Sequence, residues 1–358
     1  MMDKQRACIL GATGAAGQNI VESLSDHPWF EIDALAASSR SQGKRYKDAI
    51  EGAVFFEKHP PDHVLGMIVE NVEEVDPRDY DLAFSALPSS VAKELEARFA
   101  EHIPVFSTAS AYRYEEDVPV LIPDVNPGHI GLIDIQRKNR GWKGYVCPGP
   151  NCTTVGLVVT LKPILDAFGV KTVRMVSMQA LSGAGEKGLR SDSPYRAKVE
   201  MNVYPYIEGE EGKVVRETNK ILGKLEGGKI VDAGIDVHAT CTRVYVETVH
   251  TLVVDVETER PASLDEVGEA MENYVSEPQG LALPSSPEKP VLLLEGEDMP
   301  QPRLHRNHGY MVTLAGRLRR NPLYENGFTY IVTSDNLEKG AGAGAVNSAE
   351  FLRAKGYL

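Results

Sequence analysis

One cysteine directly follows a stretch that cannot be helical. Cys152 comes after Pro148-Gly149-Pro150-Asn151, and the two prolines and the glycine exclude a helix before it. The apolar residues 155–164 could begin either a helix or a strand. If a helix begins here, the partial positive charge at its N-terminus would stabilise a thiolate, which is the nucleophilic form of cysteine. The alternative is a small buried cysteine that only packs, because free cysteines are among the most buried residues.

A glycine-rich turn near the N-terminus has the pattern of a phosphate-binding unit. The apolar residues 7–10 lead into the run GATGAAG at residues 11–17, and Ile20, Val21 and Leu24 then share one helical face. Strand, glycine turn and helix in this order begin a dinucleotide-binding fold, in which pyrophosphate lies at the helix N-terminus. The glycine spacing is GxxGxxG and not GxGxxG, so a purely structural turn is the alternative.

The residues after the second predicted strand favour NADP over NAD. Residues 32–37 have the pattern of a buried strand, and Ser38-Ser39-Arg40-Ser41 follow it, with Lys44 close behind. An NAD enzyme places an acidic residue here to bind the ribose diol, whereas hydroxyls and a guanidinium suit a 2′-phosphate. A solvated loop without a ligand is the alternative interpretation.

The rest of the pattern predicts an α/β protein with two domains of different architecture. Strands alternate with helices over residues 1–150, which predicts a Rossmann-like domain with an open parallel sheet. Strands with few helices between them occupy residues 151–334, which predicts an α+β domain with a largely antiparallel sheet. Residues 335–358 contain a last helix, expected over residues 345–355, that would complete the first domain.

Composition limits the class of function. The chain has 358 residues, a net charge of −13, 42% hydrophobic and 25% charged residues, which is an ordinary globular composition. The acidic balance argues against nucleic acid or an anionic membrane as partner. No apolar run reaches the length of a membrane span, and residues 1–6 lead directly into a strand pattern without a signal peptide.

The cysteines indicate a reducing compartment. Four of them are scattered through the chain without CxxC spacing. This distribution predicts free thiols, neither a disulfide framework nor a zinc site, and therefore a cytoplasmic protein with no bound metal.

Several motifs in one order resemble those of the aspartate-β-semialdehyde dehydrogenase family, particularly its archaeal and fungal-like branch. The resemblance covers nearly the whole chain, and a set of ordered motifs is more specific than any one of them. The matching motifs are Gly11-Ala12-Thr13-Gly14, Ala37-Ser38-Ser39-Arg40-Ser41-x-Gly43-Lys44, Ala109-Ser110-Ala111-Tyr112-Arg113, Pro150-Asn151-Cys152-Thr153-Thr154, Gln179-Ala180-Leu181-Ser182-Gly183-Ala184-Gly185, Glu210-x-x-Lys213, Glu217-x-x-Lys220-Ile221-Leu222-Gly223, Cys241-x-Arg243-Val244 and His250.

The resemblance implies an NADP-dependent enzyme that converts β-aspartyl phosphate to aspartate semialdehyde, reversibly, in amino-acid biosynthesis (of lysine, threonine and methionine). Cys152 would attack the acyl phosphate to give a thioester, NADPH would deliver hydride, and the hemithioacetal would collapse to the aldehyde. His250 would be the general acid/base, since imidazole titrates near neutral pH. The alternative for His250 is a buried histidine at a strand junction.

The resemblance also assigns the residues around the cysteine. Gln179 would orient groups near it, and Arg243 would grip the substrate carboxylate with a bidentate fork. Glu210 would face the substrate ammonium, while Lys213 and Arg113 would hold phosphate; ordinary surface ion pairs are the alternative for these three residues. The expected cofactor-binding residues are Gly11, Thr13, Gly14, Ala15, Ala16, Ser38, Ser39, Arg40, Ser41, Ser182, Gly183, Gly185 and Asn336.

The chain departs from the usual pattern of this branch at four places. Thr108 stands where asparagine is usual, and Val249 stands where glycine usually precedes the histidine. Residues 186–203 are longer and more polar than expected, and residues 335–339 replace an Asn-Thr-x-Arg-like run.

Two other functions stay open on the sequence. One is the reduction of a coenzyme A thioester, as by malonyl-CoA reductase, which would use the same cysteine, histidine and arginine. The other is an NADP-binding homologue without catalytic activity. By analogy with the family, we expect a homodimer or homotetramer formed through the second domain's sheet.

Overall fold

The computed structural model describes residues 4–358. The prediction for residues 1–6 falls partly on residues 1–3, which lie outside this range. The strands are β1 (Gln5–Leu10), β2 (Phe30–Ala37), β3 (Val69–Asn71), β4 (Leu82–Ser85), β5 (Val105–Ser107), β6 (Val146–Pro148), β7 (Thr172–Gln179), β8 (Val203–Tyr204), β9 (Lys224–Glu226), β10 (Lys229–Val231), β11 (Asp236–Val244), β12 (His250–Glu257), β13 (Val291–Leu294), β14 (Thr313–Arg320) and β15 (Gly327–Ser334).

The helices alternate with the strands only in the first part of the chain. They are α1 (Ala15–Leu24), α2 (Tyr46–Ala49), α3 (Asp62–Leu65), α4 (Ser89–Ala100), α5 (Leu132–Arg140), α6 (Cys152–Phe168), α7 (Glu186–Leu189), α8 (Pro194–Val199), α9 (Glu210–Ile221), α10 (Leu264–Glu272), α11 (Glu277–Leu281) and α12 (Gly342–Ala354). Short 3₁₀ turns occupy Pro77–Asp79, Pro127–Gly131, Leu181–Ala184 and Pro302–His308. None of the helices within residues 4–358 is long and apolar enough to cross a membrane.

The first sheet is parallel throughout, in the order β3-β2-β1-β4-β5-β6. Its central strands are apolar and buried on both faces, as the helices on each side of a parallel sheet require. The strand order reverses between β1 and β4, and ligands bind outside the carboxyl ends of the strands at such a point. The Rossmann-like prediction is confirmed, and the turn at residues 11–14 lies at the reversal.

The last helix packs with the first sheet. Its residues Val346 and Phe351 belong to the same buried cluster as Ile9 of β1 and Leu35 of β2. Helix α12 begins at Gly342, a turn earlier than expected, and Gly356 follows its end with φ of +79°. The division of the chain at residues 150 and 334 stays a prediction.

The second sheet is mixed, in the order β13-β14-β15-β12-β7-β11-β8. The pairs β8–β11, β7–β12, β12–β15 and β14–β15 are antiparallel, whereas β7–β11 and β13–β14 are parallel. The largely antiparallel prediction therefore holds for four of the six pairs. Helices α6, α9 and α10 bury one face of the sheet, while Val176 on the other face is 42% exposed.

Candidate active site

Cys152 is the first residue of helix α6. Asn151 caps this helix, because its Oδ1 accepts the backbone N–H groups of Thr153 (2.9 Å) and Thr154 (3.3 Å). The prolines on either side of Gly149 keep the chain extended until the cap, so the helix can begin only at the cysteine. The sequence left open whether a helix or a strand follows Cys152, and the structure shows a helix.

His250 lies beside the cysteine. Its Nε2 is 3.3 Å from Sγ of Cys152, and its Nδ1 accepts the backbone N–H of Ala180 at 3.1 Å. Because Nδ1 is an acceptor in this contact, the neutral ring carries its proton on Nε2, which faces the sulfur. The residue before the histidine, Val249, has φ of +72°, a left-handed conformation that explains why glycine is usual at this position.

Burial favours the uncharged form of both members of this pair. Burial first, and Glu210 second, raise the pKa of Cys152 to about 12, against the opposing effect of Arg243 and Arg113. Burial, with Arg243 as a lesser cause, holds the pKa of His250 well below its usual range. The expectation of a thiolate stabilised by the helix N-terminus stays a prediction, and burial opposes it in this structure. Desolvation outweighs the effect of the helix dipole on the pKa of this half-buried cysteine.

Arg243 is 2% exposed and reaches the same place from β11. Its Nη1 donates to the carbonyl oxygen of Ala180 at 2.6 Å, and its Nε donates to the hydroxyl of Tyr195 at 3.3 Å. Gly183 lies between the arginine and the histidine, where a Cβ would come within 2.5 Å of Nη1 and 2.8 Å of Cε1 of His250. A side chain at residue 183 would displace one of the two groups, so this position requires glycine.

Glu210 brings two of the predicted residues, Gln179 and Lys213, to the helix cap Asn151. It is buried, and its Oε1 accepts the side-chain amides of Asn151 at 2.7 Å and Gln179 at 3.2 Å. Nζ of Lys213 lies 3.7 Å from its Oε2. The carboxylate expected to face a substrate ammonium thus also fixes the residue before the nucleophile.

Arg113 is buried at the same side of the site. Its Nη1 donates to Glu217 at 3.1 Å, and its Nη2 donates to the carbonyl oxygen of Thr108 at 2.8 Å. Thr108, which replaces the usual asparagine, turns its hydroxyl toward the carbonyl oxygen of Ser85 at 3.2 Å. The structure therefore places Arg113 in an ion pair inside the protein, not in the surface pair that the alternative interpretation required.

The glycine turn opens into a cleft of about 1050 Å³. Gly11 has φ of +82°, and a Cβ there would come within 2.7 Å of the carbonyl oxygen of Ala86, so the turn can be this tight only with glycine. Gly14 precedes α1 without a capping side chain, which leaves the first N–H groups of the helix free to bind phosphate. The predicted residues that line the cleft are Gly11, Thr13, Gly14, Ser38, Ser39 and Arg40.

Seven predicted cofactor residues lie outside this lining. Ala15 is buried in the first turn of α1, and the lining includes neither Ala16 nor Ser41. The remaining four are Ser182, Gly183, Gly185 and Asn336. Glu186 does line the cleft, so the segment that begins at Ser182 reaches its edge.

The side chains of Ser182 and Asn336 bind each other, with Nδ2 of Asn336 donating to Oγ of Ser182 at 2.8 Å. Oδ1 of Asn336 also accepts the N–H of Val249 at 3.0 Å. These two residues thus support the backbone next to His250. Within residues 4–358 no group of three or more His, Cys, Asp or Glu side chains is arranged to hold a metal ion.

Three residues of the site carried no role in the sequence analysis. Tyr195 contacts Arg243 from the long polar segment, and Ala180 fixes His250 through a backbone group that no sequence pattern reveals. Glu217 was part of a motif, and its spacing of seven residues from Glu210 places both acids on one face of α9. That spacing is the signal that could have found it.

The first sheet is a doubly wound dinucleotide-binding sheet, and the second sheet brings a histidine and an arginine to a cysteine. This arrangement is typical of a nicotinamide-dependent oxidoreductase that works through a thiol. Two family models match the chain: "Semialdehyde dehydrogenase, NAD binding domain" over residues 6–133 and "Semialdehyde dehydrogenase, dimerisation domain" over residues 161–339. The chain belongs to the semialdehyde dehydrogenase family.

Relatives and a solved structure agree with this assignment. The aspartate-semialdehyde dehydrogenase of Archaeoglobus fulgidus is 45% identical over 96% of each chain, and that of Methanothermobacter thermautotrophicus is 41% identical over 96% of this chain and 97% of its own. The crystal structure of the Candida albicans enzyme with NADP matches with a TM-score of 0.89, 35% identity, and coverage of 99% of this chain and 100% of that chain. The predicted family is confirmed.

Proposed function

We propose that the protein catalyses the reversible, NADP-dependent reduction of β-aspartyl phosphate to aspartate semialdehyde through a thioester on Cys152. The observation that carries this proposal is the contact of 3.3 Å between Sγ of Cys152 and Nε2 of His250 beside the buried Arg243. The relatives named above are aspartate-semialdehyde dehydrogenases at up to 45% identity over 96% of this chain. The coenzyme A thioester reductase and the non-catalytic homologue have no comparable support.

The cleft fits NADP. Gly11 leaves room for pyrophosphate next to the backbone, because a Cβ there would meet Ala86. The residues that follow β2 are the exposed Ser38, Ser39 and Arg40, and the acid of an NAD site is absent from these three positions. When bound, the cofactor supplies or accepts the hydride. Among the relatives' structures, the Candida albicans enzyme is described with NADP.

Cys152, His250 and Arg243 each have a separate role in the reaction. The sulfur of Cys152 forms a bond to the acyl carbon while the bond between that carbon and the phosphate oxygen breaks, and the thiol proton leaves with the phosphate as hydrogen phosphate. His250 donates its Nε2 proton in a hydrogen bond to the oxygen on that carbon, where negative charge develops. Arg243 binds the substrate carboxylate with the part of its guanidinium that Ala180 and Tyr195 leave free.

The remaining side chains bind phosphate and hold the cysteine in place. Arg113 and Lys213 provide positive charge for the phosphate, and both have an acid beside them that fixes their position. Gln179 donates to Glu210, which holds the residue before Cys152. These assignments rest on the contacts around α6 and on the motifs of the family.

One comparison of initial rates tests the proposed function. Purified protein receives aspartate semialdehyde, phosphate and NADP, and in a second reaction malonyl-CoA and NADPH. We expect NADPH formation that requires phosphate, and no oxidation of NADPH by malonyl-CoA. Cys152→Ser is the control that must abolish the activity. Turnover of malonyl-CoA alone would overturn the proposal, and the absence of both reactions would favour the non-catalytic homologue.

The assembly we propose is a homodimer that pairs the uncovered faces of two mixed sheets, with a homotetramer as the larger alternative. Val176 is 42% exposed on that face, which is apolar surface that a second copy would cover. The dimerisation-domain model spans these strands. Light scattering during size-exclusion chromatography measures the mass, and Val176→Lys should shift it toward the monomer. We place the protein in the cytoplasm, since all four cysteines are free thiols.

A further inference from the structure

A second acidic residue of helix α9 contacts residues of the active site. Glu217 follows Glu210 by two turns on the same helix face and is 1% exposed. Its Oε2 accepts the backbone N–H of Asn151 at 2.5 Å, and its Oε1 accepts Nη1 of Arg113 at 3.1 Å. The hydroxyl of Tyr114 also donates to Oε1, at 3.3 Å. A buried carboxylate is expensive unless its oxygens are bonded in this way.

The contacts of Glu217 join two parts of the chain that approach the site from different sides. Asn151 is the cap of the helix that begins with Cys152, whereas Arg113 comes from the loop after β5. Glu210 holds the side chain of Asn151 at 2.7 Å, and Glu217 holds its main chain. The residue before the cysteine is therefore fixed twice from one helix, and only Glu217 also reaches the arginine.

Lys220 adds a third contact from the next turn of α9. Its Nζ donates to the carbonyl oxygens of Arg113 at 2.8 Å and Glu115 at 2.7 Å. These bonds hold the loop that carries Arg113, and the contacts of the lysine do not include Asn151. The motif Glu217-x-x-Lys220 thus separates two tasks, since the acid touches both the cap and the arginine while the lysine touches only the loop.

We propose that Glu217 is a positioning residue that sets the place of the phosphate-binding guanidinium relative to the attacking sulfur, acting through Arg113 and Asn151. This inference rests on the proposed function, in which Arg113 binds phosphate and Cys152 attacks the acyl carbon. Positional errors at such a site are costly, because a displacement of about 1 Å can lower a rate by about 100-fold. Glu217 itself touches neither substrate nor cofactor.

The test compares Glu217→Gln with Lys220→Met. Glutamine keeps the shape and one acceptor oxygen but loses the charge that orients Arg113. We expect Glu217→Gln to raise the KM for phosphate by about 10-fold or more, the scale of one charge-assisted hydrogen bond, and to lower kcat. It should also change the rate at which iodoacetamide modifies Cys152. Lys220→Met should raise the KM for phosphate but leave that modification rate as in the wild type.

Two further measurements separate positioning from stability. The KM for NADP should stay unchanged in both variants, and the effect of Glu217→Gln on the KM for phosphate should disappear in an Arg113→Met background. Glu217→Asp, which keeps the charge but cannot reach both partners, should raise the KM for phosphate in the same direction, and it replaces the glutamine variant if that protein does not fold.

A lowered unfolding temperature with wild-type KM for phosphate and wild-type modification of Cys152 would overturn the proposal. Failure of the proposed function is a different result, because the wild-type protein would then show no phosphate-dependent NADPH formation. In that case the modification rates still decide the positioning role. They would differ from wild type for Glu217→Gln and match it for Lys220→Met if the role is correct, and match it for both if it is wrong.

Discussion

Cys152 and His250 meet through the protonated nitrogen of the imidazole. The sulfur lies 3.3 Å from Nε2, while the other ring nitrogen accepts the N–H of Ala180 at 3.1 Å. A histidine held in this way is a hydrogen-bond donor to the sulfur and has no free acceptor for the thiol proton. The backbone of the strand end, and not a carboxylate partner, selects the tautomer. Because burial also raises the pKa of Cys152, we expect the neutral thiol to be the resting form of the nucleophile.

The first prediction concerns the pH dependence of this thiol. Since burial raises the pKa of Cys152 to about 12, the thiolate fraction should rise about ten-fold for each pH unit from 6 to 9, without a plateau. Iodoacetamide modification followed by peptide mapping measures the rate at each pH. The three other cysteines are fully buried and should react more slowly, which provides the internal control. A plateau below pH 8 would contradict the prediction.

The second prediction concerns the cofactor. Arg40 is exposed in the cleft, just after Ser38 and Ser39. Arg40→Ala should weaken NADPH binding by about 1.5–3 kcal/mol, the usual scale of a charge-assisted hydrogen bond, and leave NADH binding nearly unchanged. Titration of both cofactors by fluorescence measures this difference. Lys47→Ala, which removes an exposed charge outside the cleft, is the matched control. Equal losses for the two cofactors would count against a 2′-phosphate contact.

The third prediction concerns Glu210. Glu210→Gln removes the charge that receives the amides of Asn151 and Gln179 and that would face the substrate ammonium. We expect kcat/KM for aspartate semialdehyde to fall by about 10-fold or more, because a charged hydrogen bond is lost. NADPH binding should stay unchanged, since Glu210 does not line the cleft. Glu208→Gln, at an exposed position just before α9, should behave as wild type, and a parallel loss in that control would refute the specific role.

The fourth prediction concerns the strained backbone before His250. Val249 is 1% exposed and has φ of +72°, a conformation that costs a branched residue about 1–2 kcal/mol. Val249→Gly removes this strain together with the side chain, whereas Val254→Gly, within β12 and equally buried, removes only the side chain. The free energy of unfolding in urea should fall by about 1 kcal/mol less for Val249→Gly. Equal losses at the two positions would show that the left-handed conformation carries no strain.

The sequence predicted the parts of the fold that depend on local pattern. The alternation of strands and helices predicted the parallel sheet, and the glycine turn predicted the tight approach at Gly11. Two parallel pairs in the second sheet were not predicted, because strand partners are set by packing between distant segments. The sequence shows residues 186–203 only as longer and more polar than expected, yet the short helices α7 and α8 form there and bring Tyr195 to Arg243.

The active site, like the fold, could be predicted from the sequence only in part. Residue types and motif order indicated the side chains that meet around Cys152, because each has chemistry that the reaction needs. The charge state of the thiol was not predictable, since it depends on how deeply the surrounding elements bury it. The roles of Ala180 and Glu217 depend on a backbone N–H and on the approach of α9 to the helix cap. The first feature leaves no pattern in the sequence, whereas the second leaves only the spacing of seven residues between Glu210 and Glu217.

The packing of the last helix against the first strands has a consequence for the growing chain on the ribosome. Val346 and Phe351 complete the cluster around Ile9 and Leu35, so the first strands to be synthesised must wait for almost the last residues before their apolar surface is covered. The buried cluster behind the second sheet draws on residues 120–332 and contains no residue of α12. The sheet that is made first is therefore finished last, and a chain interrupted before α12 would leave its N-terminal strands open to chaperones and proteases.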